Sequence, residues 1–352
     1  MPPERAIREV EFTGDHYERG VQRGRRLKET LALPEPADLP AGFVAGCRAA
    51  VEQFYPPAVD EFEGILDGGG FDRAAMAAYY FARLESRLGG CTMFGIEEGL
   101  RSEGVGPIVG RNYDWAVEDL RWCELHRYRL PGGMDRIAYT HHWAGNPDVM
   151  NEAGLYVAIA SLPPEPITAP GVQWSILVEM LSETCETVEQ AVQACAEVRH
   201  LRPMNYLLAD ATGGLAVVTA GCGHVSVARS EDGIIAAANT GLPGEVLAEF
   251  PRGEYDIRTA ALEGDREQSA ARSRRRVARA RALLGRARQN ISLKDVRTVL
   301  KDHETPICTG DHARPDGGVW ATIWSGICAP AERDFRIAPG LPCRHPYHRF
   351  TL

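Results

Sequence analysis

Several features that would fix the class of this chain at once are missing from it. No apolar run approaches the ~20 residues that a membrane-spanning helix requires. The opening residues, Met1 to Glu11, lack the apolar core of a secretory signal, so a cytosolic location is expected. Basic residues are in the minority. Lys and Arg number 39 against 48 Asp and Glu, a formal net charge of -9. That balance gives no electrostatic reason to expect nucleic acid or an anionic membrane surface as a partner. The nine cysteines are odd in number and scattered from Cys47 to Cys343 without framework spacing, which suits a reducing compartment better than a disulfide scaffold. Internal repeats and low-complexity segments are absent. Cys308, His312, Cys343, His345 and His348 gather near the C-terminus, but without the repeated Cys-x-x-Cys or His-x-x-x-His spacing of zinc sites. No metal and no cofactor are expected.

What is present is ordinary for a soluble globular protein. The 352 residues are 44% hydrophobic and 25% charged, enough for one large domain or two with a substantial core. A short strand over 8–13 precedes a basic helix over 17–31, which carries Gly20 and Gly24 at a spacing that permits close packing. Helical periodicity returns over 42–55, 58–66 and 73–84. At Cys91 the pattern changes to strands, expected over 91–96, 107–111, 122–128, 136–141 and 155–160. Asn151 to Gly154 reads as a type I turn. Two helices follow, the second opened by a Thr187/Gln190 capping box. Then come strands near 205–209, 215–219, 223–228 and 233–238, and a long connection over 241–270. A helix over 272–284, a capped helix from Ser292 to Lys301, and strands over 319–324 and 335–337 close the chain. The expected fold class is α+β, two antiparallel sheets packed face to face with helices outside.

The stretch with chemistry in it is Leu88-Gly89-Gly90-Cys91-Thr92-Met93-Phe94, followed by Gly110-Arg111-Asn112-Tyr113-Asp114. A thiol beside a guanidinium is what nucleophilic chemistry needs, because the thiolate is the reactive species and a nearby cation lowers the thiol pKa. A buried thiol beside a structural ion pair is the plainer reading of the same residues. Arg111 and Asp114 cannot share one strand face at a spacing of three, so a bend is expected near Tyr113.

These motifs, with Met150-Asn151-Glu152-Ala153-Gly154-Leu155, Ala238-Asn239-Thr240 and Ser273-Arg274-Arg275-Arg276, resemble the N-terminal nucleophile hydrolases. The nearer likeness is to the choloylglycine hydrolase and penicillin V acylase group, and in particular to its acyl-coenzyme A:6-aminopenicillanate acyltransferase-like branch. The resemblance implies a four-layer αββα sandwich and a precursor that cuts itself before Cys91. That gives a mainly helical small chain, 1–90, and a catalytic large chain, 91–352. It implies that Cys91 is the nucleophile, with its new α-amine as general base. Arg111 would hold thiolate and acyl group, Asp114 would orient the α-ammonium, and Asn151 and Asn239 would stabilise the oxyanion. Arg274 would be a further active-site arginine, with Arg275 and Arg276 as rivals in the same charge run.

The expected function is therefore cleavage of a linear N-acyl amide through a thioester on Cys91. Acyl transfer to an amine is the alternative; a metal-dependent hydrolase and a non-catalytic binding protein stand further off. His141, His142, Tyr113, Trp115, Trp143 and Trp174 are candidates to line an apolar acyl pocket. The expected partners are a small-molecule N-acyl substrate and the two pieces of one precursor, with a second copy of the chain left open.

Overall fold

The computed structural model describes residues 6–30, 39–84, 90–141, 145–258, 266–287, 289–310, 312–313 and 318–352. The N-terminal segment supplies β1 (Arg8–Thr13), α1 (His16–Thr30), α2 (Phe43–Phe54), α3 (Pro57–Gly69) and α4 (Arg73–Ala82). Six strands follow: β2 (Gly90–Ile96), β3 (Ile108–Ala116), β4 (Glu124–Arg129), β5 (Arg136–Thr140), β6 (Asp148–Asn151) and β7 (Tyr156–Ser161). A helix pair, α5 (Trp174–Thr184) and α6 (Val188–Glu197), leads into β8 (Met204–Ala209), β9 (Leu215–Ala220), β10 (His224–Arg229), β11 (Ile234–Ala237) and β12 (Glu245–Glu249). Then come α7 (Arg266–Gly285), α8 (Leu293–Leu300), β13 (His312–Ala313), β14 (Val319–Ala329), β15 (Asp334–Ala338) and β16 (His348–Phe350).

The strands form two sheets. The larger runs β1-β4-β5-β6-β7-β8-β9-β10-β12, the smaller β11-β2-β3-β14-β15-β16, with β13 beside β14. Strand alternation sorts the side chains into layers. Cys91 and Met93 of β2, Val109 and Tyr113 of β3, Tyr156 and Ala158 of β7, and Leu207 of β8 point into the core between the sheets. Val157 of β7 and Tyr206 and Leu208 of β8 pack outward against α2 to α6, while Phe94 and Ile96 of β2 pack outward against α7 and α8. The result is the expected αββα order. Among the described residues no helix is long and apolar enough to cross a membrane.

Several corrections concern strands. β1 pairs with β4 in parallel, so the larger sheet is not wholly antiparallel: its edge strand is delivered by the N-terminal segment rather than by a hairpin. The connection after 241 also holds a strand, β12, on β10. The short strands β6, β13 and β16 were also not expected, and β3 and β14 run past their expected ends at 111 and 324. The Thr187/Gln190 capping box is present, and Gly154 donates its N–H to Asn151 O at 2.9 Å with φ +85°, closing the expected turn.

The N-terminal segment is bound to the larger sheet by buried charge. Arg19 of α1, fully buried, donates to Glu183 of α5 at 3.3 Å, and His16 pairs with the same carboxylate at 2.6 Å. Arg136 of β5 completes the group, 2.8 Å from Glu179 and 3.2 Å from Glu183. Burial pushes Glu183 up, but the His16 hydrogen bond and the two guanidinium groups hold it down at about 2. Arg26 of α1 pairs with Glu124 of β4.

Glycine makes the α1–α3 contact. A Cβ on Gly20 would sit 2.2 Å from Glu61 O, and one on Gly64 would sit 2.1 Å from Tyr17 O. Both distances are far inside contact with backbone that cannot swing away. Gly64→Ala should therefore destabilise the fold by about 1–3 kcal/mol of overpacking, against the gain of up to ~1 kcal/mol in helix propensity. Thermal unfolding of the variant is the check, and an unchanged or raised Tm would show that the helices can part freely.

Candidate active site

Cys91 sits at the start of β2, opposite Tyr113 of β3 in register, with only 2% of its surface exposed. β2 is mostly apolar and its odd-numbered residues face the inter-sheet core, so the thiol points between the sheets. Arg111, fully buried, reaches across from β3 and donates Nη2–H to Cys91 Sγ at 3.6 Å and to Ile159 O at 2.7 Å. Its other end is fixed by Pro147 O at 3.0 Å and by the Asp148 carboxylate of β6. Asp148 also accepts from Tyr156 Oη at 2.6 Å and Trp324 Nε1 at 2.5 Å. Burial works against the Arg111 charge, but Asp148 together with Cys91, Tyr156 and Tyr113 outweighs it and holds the guanidinium above its usual range. The Cys91 thiol is pushed up by burial, which outweighs the lowering by Arg111. Burial thus favours the neutral thiol over the thiolate.

The backbone of Cys91 has its own partners. Asn239, just beyond β11, accepts the Cys91 N–H on Oδ1 at 2.7 Å and donates Nδ2–H to Ser161 O at 2.8 Å. Arg276 of α7 donates to that same Oδ1 at 2.8 Å, to Cys91 O at 3.2 Å and, from Nε, to Thr92 Oγ1 at 3.1 Å. Asp114 lies opposite Gly90 and accepts from Thr309 Oγ1 and Thr322 Oγ1, each at 2.6 Å. A Cβ on Gly90 would fall 3.1 Å from Asp114 Oδ2, so the missing side chain lets the carboxylate close on the Gly90–Cys91 peptide. Burial raises the Asp114 carboxyl to about 6, against the opposing pull of Arg276 and the two threonines.

The structure thus brings together Cys91, Arg111, Asp114 and Asn239. The expected bend at Tyr113 is not needed. β3 keeps unbroken register with β2 from Ile108 to Asp114, and Arg111 and Asp114 use opposite faces of the same strand. The irregularity falls on β14, where the pairing jumps from Thr322 to Trp324 opposite Asp114 and Tyr113.

Two expected residues are elsewhere. Asn151 gives both amide hydrogens to the end of α5, at Ser182 O (3.1 Å) and Cys185 O (2.7 Å), and accepts Leu155 N–H at 2.8 Å. Its donors are spent, so turn and cap chemistry account for it and it is not an oxyanion donor here. Arg274 is exposed and pairs with Glu267 at 2.7 Å. Helical periodicity is the reason. Ser273, Ala280 and Leu284 form the buried stripe of α7, and Arg276 lies about 60° round the helix from that stripe while Arg274 lies about 100° from it on the other side. The small and apolar residues inside the arginine run carried this signal.

A small cavity opens beside the sulfur, lined by Cys91, Tyr113, Trp115, Ile159, Ser161, Trp174 and Met204. Three of the expected aromatics are in it; His142 and Trp143 lie outside the described residues. Tyr113 stacks on Trp324 at 4.0 Å and shares a 2.9 Å hydrogen bond with His141. Asp148 and Ser161 were not anticipated. Neither belongs to a local motif, and both are recruited from the opposite sheet.

Residues 101–342 match the family model described as acyl-coenzyme A:6-aminopenicillanic acid acyl-transferase. The matched stretch contains Arg111, Asp114, Asn239 and Arg276 and begins after β2. No curated protein sequence matches the chain significantly. Among solved structures, the chain is similar to a mutant of conjugated bile acid hydrolase from Clostridium perfringens, with 12% identity and a TM-score of 0.45 over 74% of this chain and 97% of that one. It is also similar to penicillin V acylase from Agrobacterium tumefaciens, with 14% identity and a TM-score of 0.38 over 76% of this chain and 80% of that one.

The position of Asp114 makes a pH prediction. An unfolded Asp carboxyl titrates near 3.9, whereas the folded one titrates at about 6, so the folded state holds the proton more tightly. Its contribution to stability is full below about pH 4 and is lost as pH rises to about 6. In the uncut chain, wild type should therefore lose Tm relative to Asp114→Asn across that interval and run parallel to it above. A constant difference from pH 4 to 7 would mean that Asp114 titrates like an ordinary surface carboxylate.

Proposed function

The chain belongs to the acyl-coenzyme A:6-aminopenicillanic acid acyl-transferase family, and from that premise we propose that it is a self-processing cysteine amidohydrolase that cleaves linear N-acyl amides. The observation that carries this reading is that the two reactive atoms of Cys91 are addressed separately. The sulfur faces Arg111, and the nitrogen is held by Asn239, itself braced by Arg276. Any buried N–H needs an acceptor; here the acceptor is a side-chain amide that an arginine from another element braces.

In the first step the Cys91 thiol adds to the Gly90 carbonyl carbon, the C–N bond breaks, and the acyl group passes to sulfur while the nitrogen becomes an amine. The thiol proton passes to the departing nitrogen, and Asp114, against that peptide, would support the transfer. Water then hydrolyses the thioester, leaving a carboxylate on Gly90 and a free α-amine on Cys91. That amine, with an ordinary pKa of ~7.7–8.0, is the base the uncut site lacks. Asn239 Oδ1 and the Asp114 carboxylate would then orient it by charge-assisted hydrogen bonds.

In turnover the α-amine takes the thiol proton, and the thiolate attacks the substrate amide carbon. Arg111 stabilises the charge on sulfur, and the Asn239 amide would support the oxyanion only by exchanging its present bond to Ser161 O for one to the substrate. The α-ammonium returns its proton to the leaving amine, and water resolves the acyl-enzyme. The cavity lining of Tyr113, Trp115, Trp174, Ile159 and Met204 favours an apolar acyl group. Its small size favours water over a second amine as acceptor. A cytosolic location is part of the reading, supported by nine free cysteines.

On a denaturing gel, wild type should run as 1–90 and 91–352, the larger piece beginning Cys-Thr-Met-Phe on Edman sequencing. Cys91→Ala should remain one inactive chain. A fully active wild type with Gly90 still bonded to Cys91 would sink the proposal. Arg276→Ala should lower kcat on the best N-acyl amide about a hundredfold, and Arg274→Ala should stay within about twofold. The reverse ranking would remove Arg276 from the site and put Arg274 in its place.

A further inference from the structure

Behind the catalytic layer lies a second group of chemically competent side chains. His303, Cys308 and Cys343 bring one ligand atom each to within 4.8 Å of one another. Cys308 Sγ and Cys343 Sγ are 3.7 Å apart. Two thiolates bound at ~2.3 Å to one tetrahedral zinc ion stand about 3.8 Å apart, whereas a disulfide needs ~2.05 Å. His303 and Cys343 are exposed and Cys308 is buried, so an ion could enter from solvent and bind at the base of the cluster.

The ligands sit on braced backbone. Cys308 N–H donates to Asp302 O at 2.9 Å, and Asp302 is itself held by Thr305 N–H at 3.1 Å and Arg279 at 2.6 Å. On the other side, Arg344 and His345 N–H both donate to Leu341 O, which fixes the turn that presents Cys343. The neighbouring C-terminal histidines that the sequence singles out, His345 and His348, are not in the cluster; His303 takes their place.

We propose that His303, Cys308 and Cys343 form a zinc site, with water in the fourth position, that pins the turn at Cys343 to the loop after α8. Two thiolates and an imidazole are a soft set that selects zinc over magnesium or calcium. Binding displaces the two thiol protons to solvent. The site lies next to the machinery without joining it. Thr309, the residue after Cys308, donates its hydroxyl to Asp114 and its backbone N–H to Thr322 Oγ1 at 2.9 Å. The ion is thereby a positioning device for the Asp114 carboxylate.

The test uses the full chain, reduced with a phosphine and freed of metal by dialysis. Titration with cobalt(II) should give one equivalent with a thiolate-to-metal absorption band, displaced by zinc. Cys343→Ser and His303→Ala, both at exposed positions, should keep the wild-type far-ultraviolet dichroism, lose the cobalt band and weaken zinc roughly tenfold or more. Cys123→Ser, outside the cluster, should bind as wild type does. Zinc should also raise the Tm of wild type and not of Cys343→Ser. The proposal is overturned if no band appears, if the band survives Cys343→Ser, or if Cys308 and Cys343 form a disulfide in the presence of saturating zinc.

Discussion

The buried pair of Arg111 and Asp148 is the constraint on which the site rests. It spans the core between the sheets, from β3 to β6, and neither side chain has any exposed surface. Leaving one member of such a pair alone in an apolar interior costs about 3–5 kcal/mol, so the sheets are held at the separation that satisfies both. With one end of the guanidinium fixed by Asp148 and Pro147, the other end is aimed at the Cys91 sulfur without help from a substrate. The same anchoring limits what Arg111 can do for the thiol. Part of its charge is already answered by Asp148, and burial still prevails at Cys91.

Strand alternation then divides the work. The inward residues of β2 and β3 are Cys91, Arg111 and Tyr113, and they meet the other sheet. The outward residues Thr92, Asn112 and Asp114 meet α7, α8 and the loop after it, where Asn112 donates to Leu300 O and Ile307 O at 2.9 and 2.8 Å. One short strand pair thus shows its sulfur to a cavity and its peptide nitrogen to a separate set of polar groups.

Much of this was legible in the sequence wherever the cause is local. Capping boxes, the Asn151 turn and the Gly20/Gly24 spacing depend on residues a few positions apart, and each stands where expected. Cys91, Arg111 and Asp114 were visible because two adjacent strands carry them. Asp148 was not, because its role arises from a partner 37 residues away on a four-residue strand that follows a proline. Asn151 misled because one Gly-containing turn motif serves cap chemistry and catalysis alike. Arg274 misled because a run of arginines hides its own periodicity; the buried Ser273 and Ala280 reveal the face that the charges conceal.

The charge-bound N-terminal segment has a consequence for how the molecule comes into being. Glu183 and Glu124 belong to the body of the protein, yet His16, Arg19 and Arg26, which answer them, are carried by α1. Without the N-terminal segment, Glu183 would be left with Arg136 and Glu124 with His126, so two largely buried carboxylates would each lose part of the cationic partnership that offsets their burial. The segment is thus a template as well as a component, and the native arrangement is reached while both halves are still one molecule. If the link at Gly90 is then severed, the finished protein occupies a state its separated halves have no efficient route back to. Its persistence would be set by the height of a barrier, and its history would matter as much as its sequence.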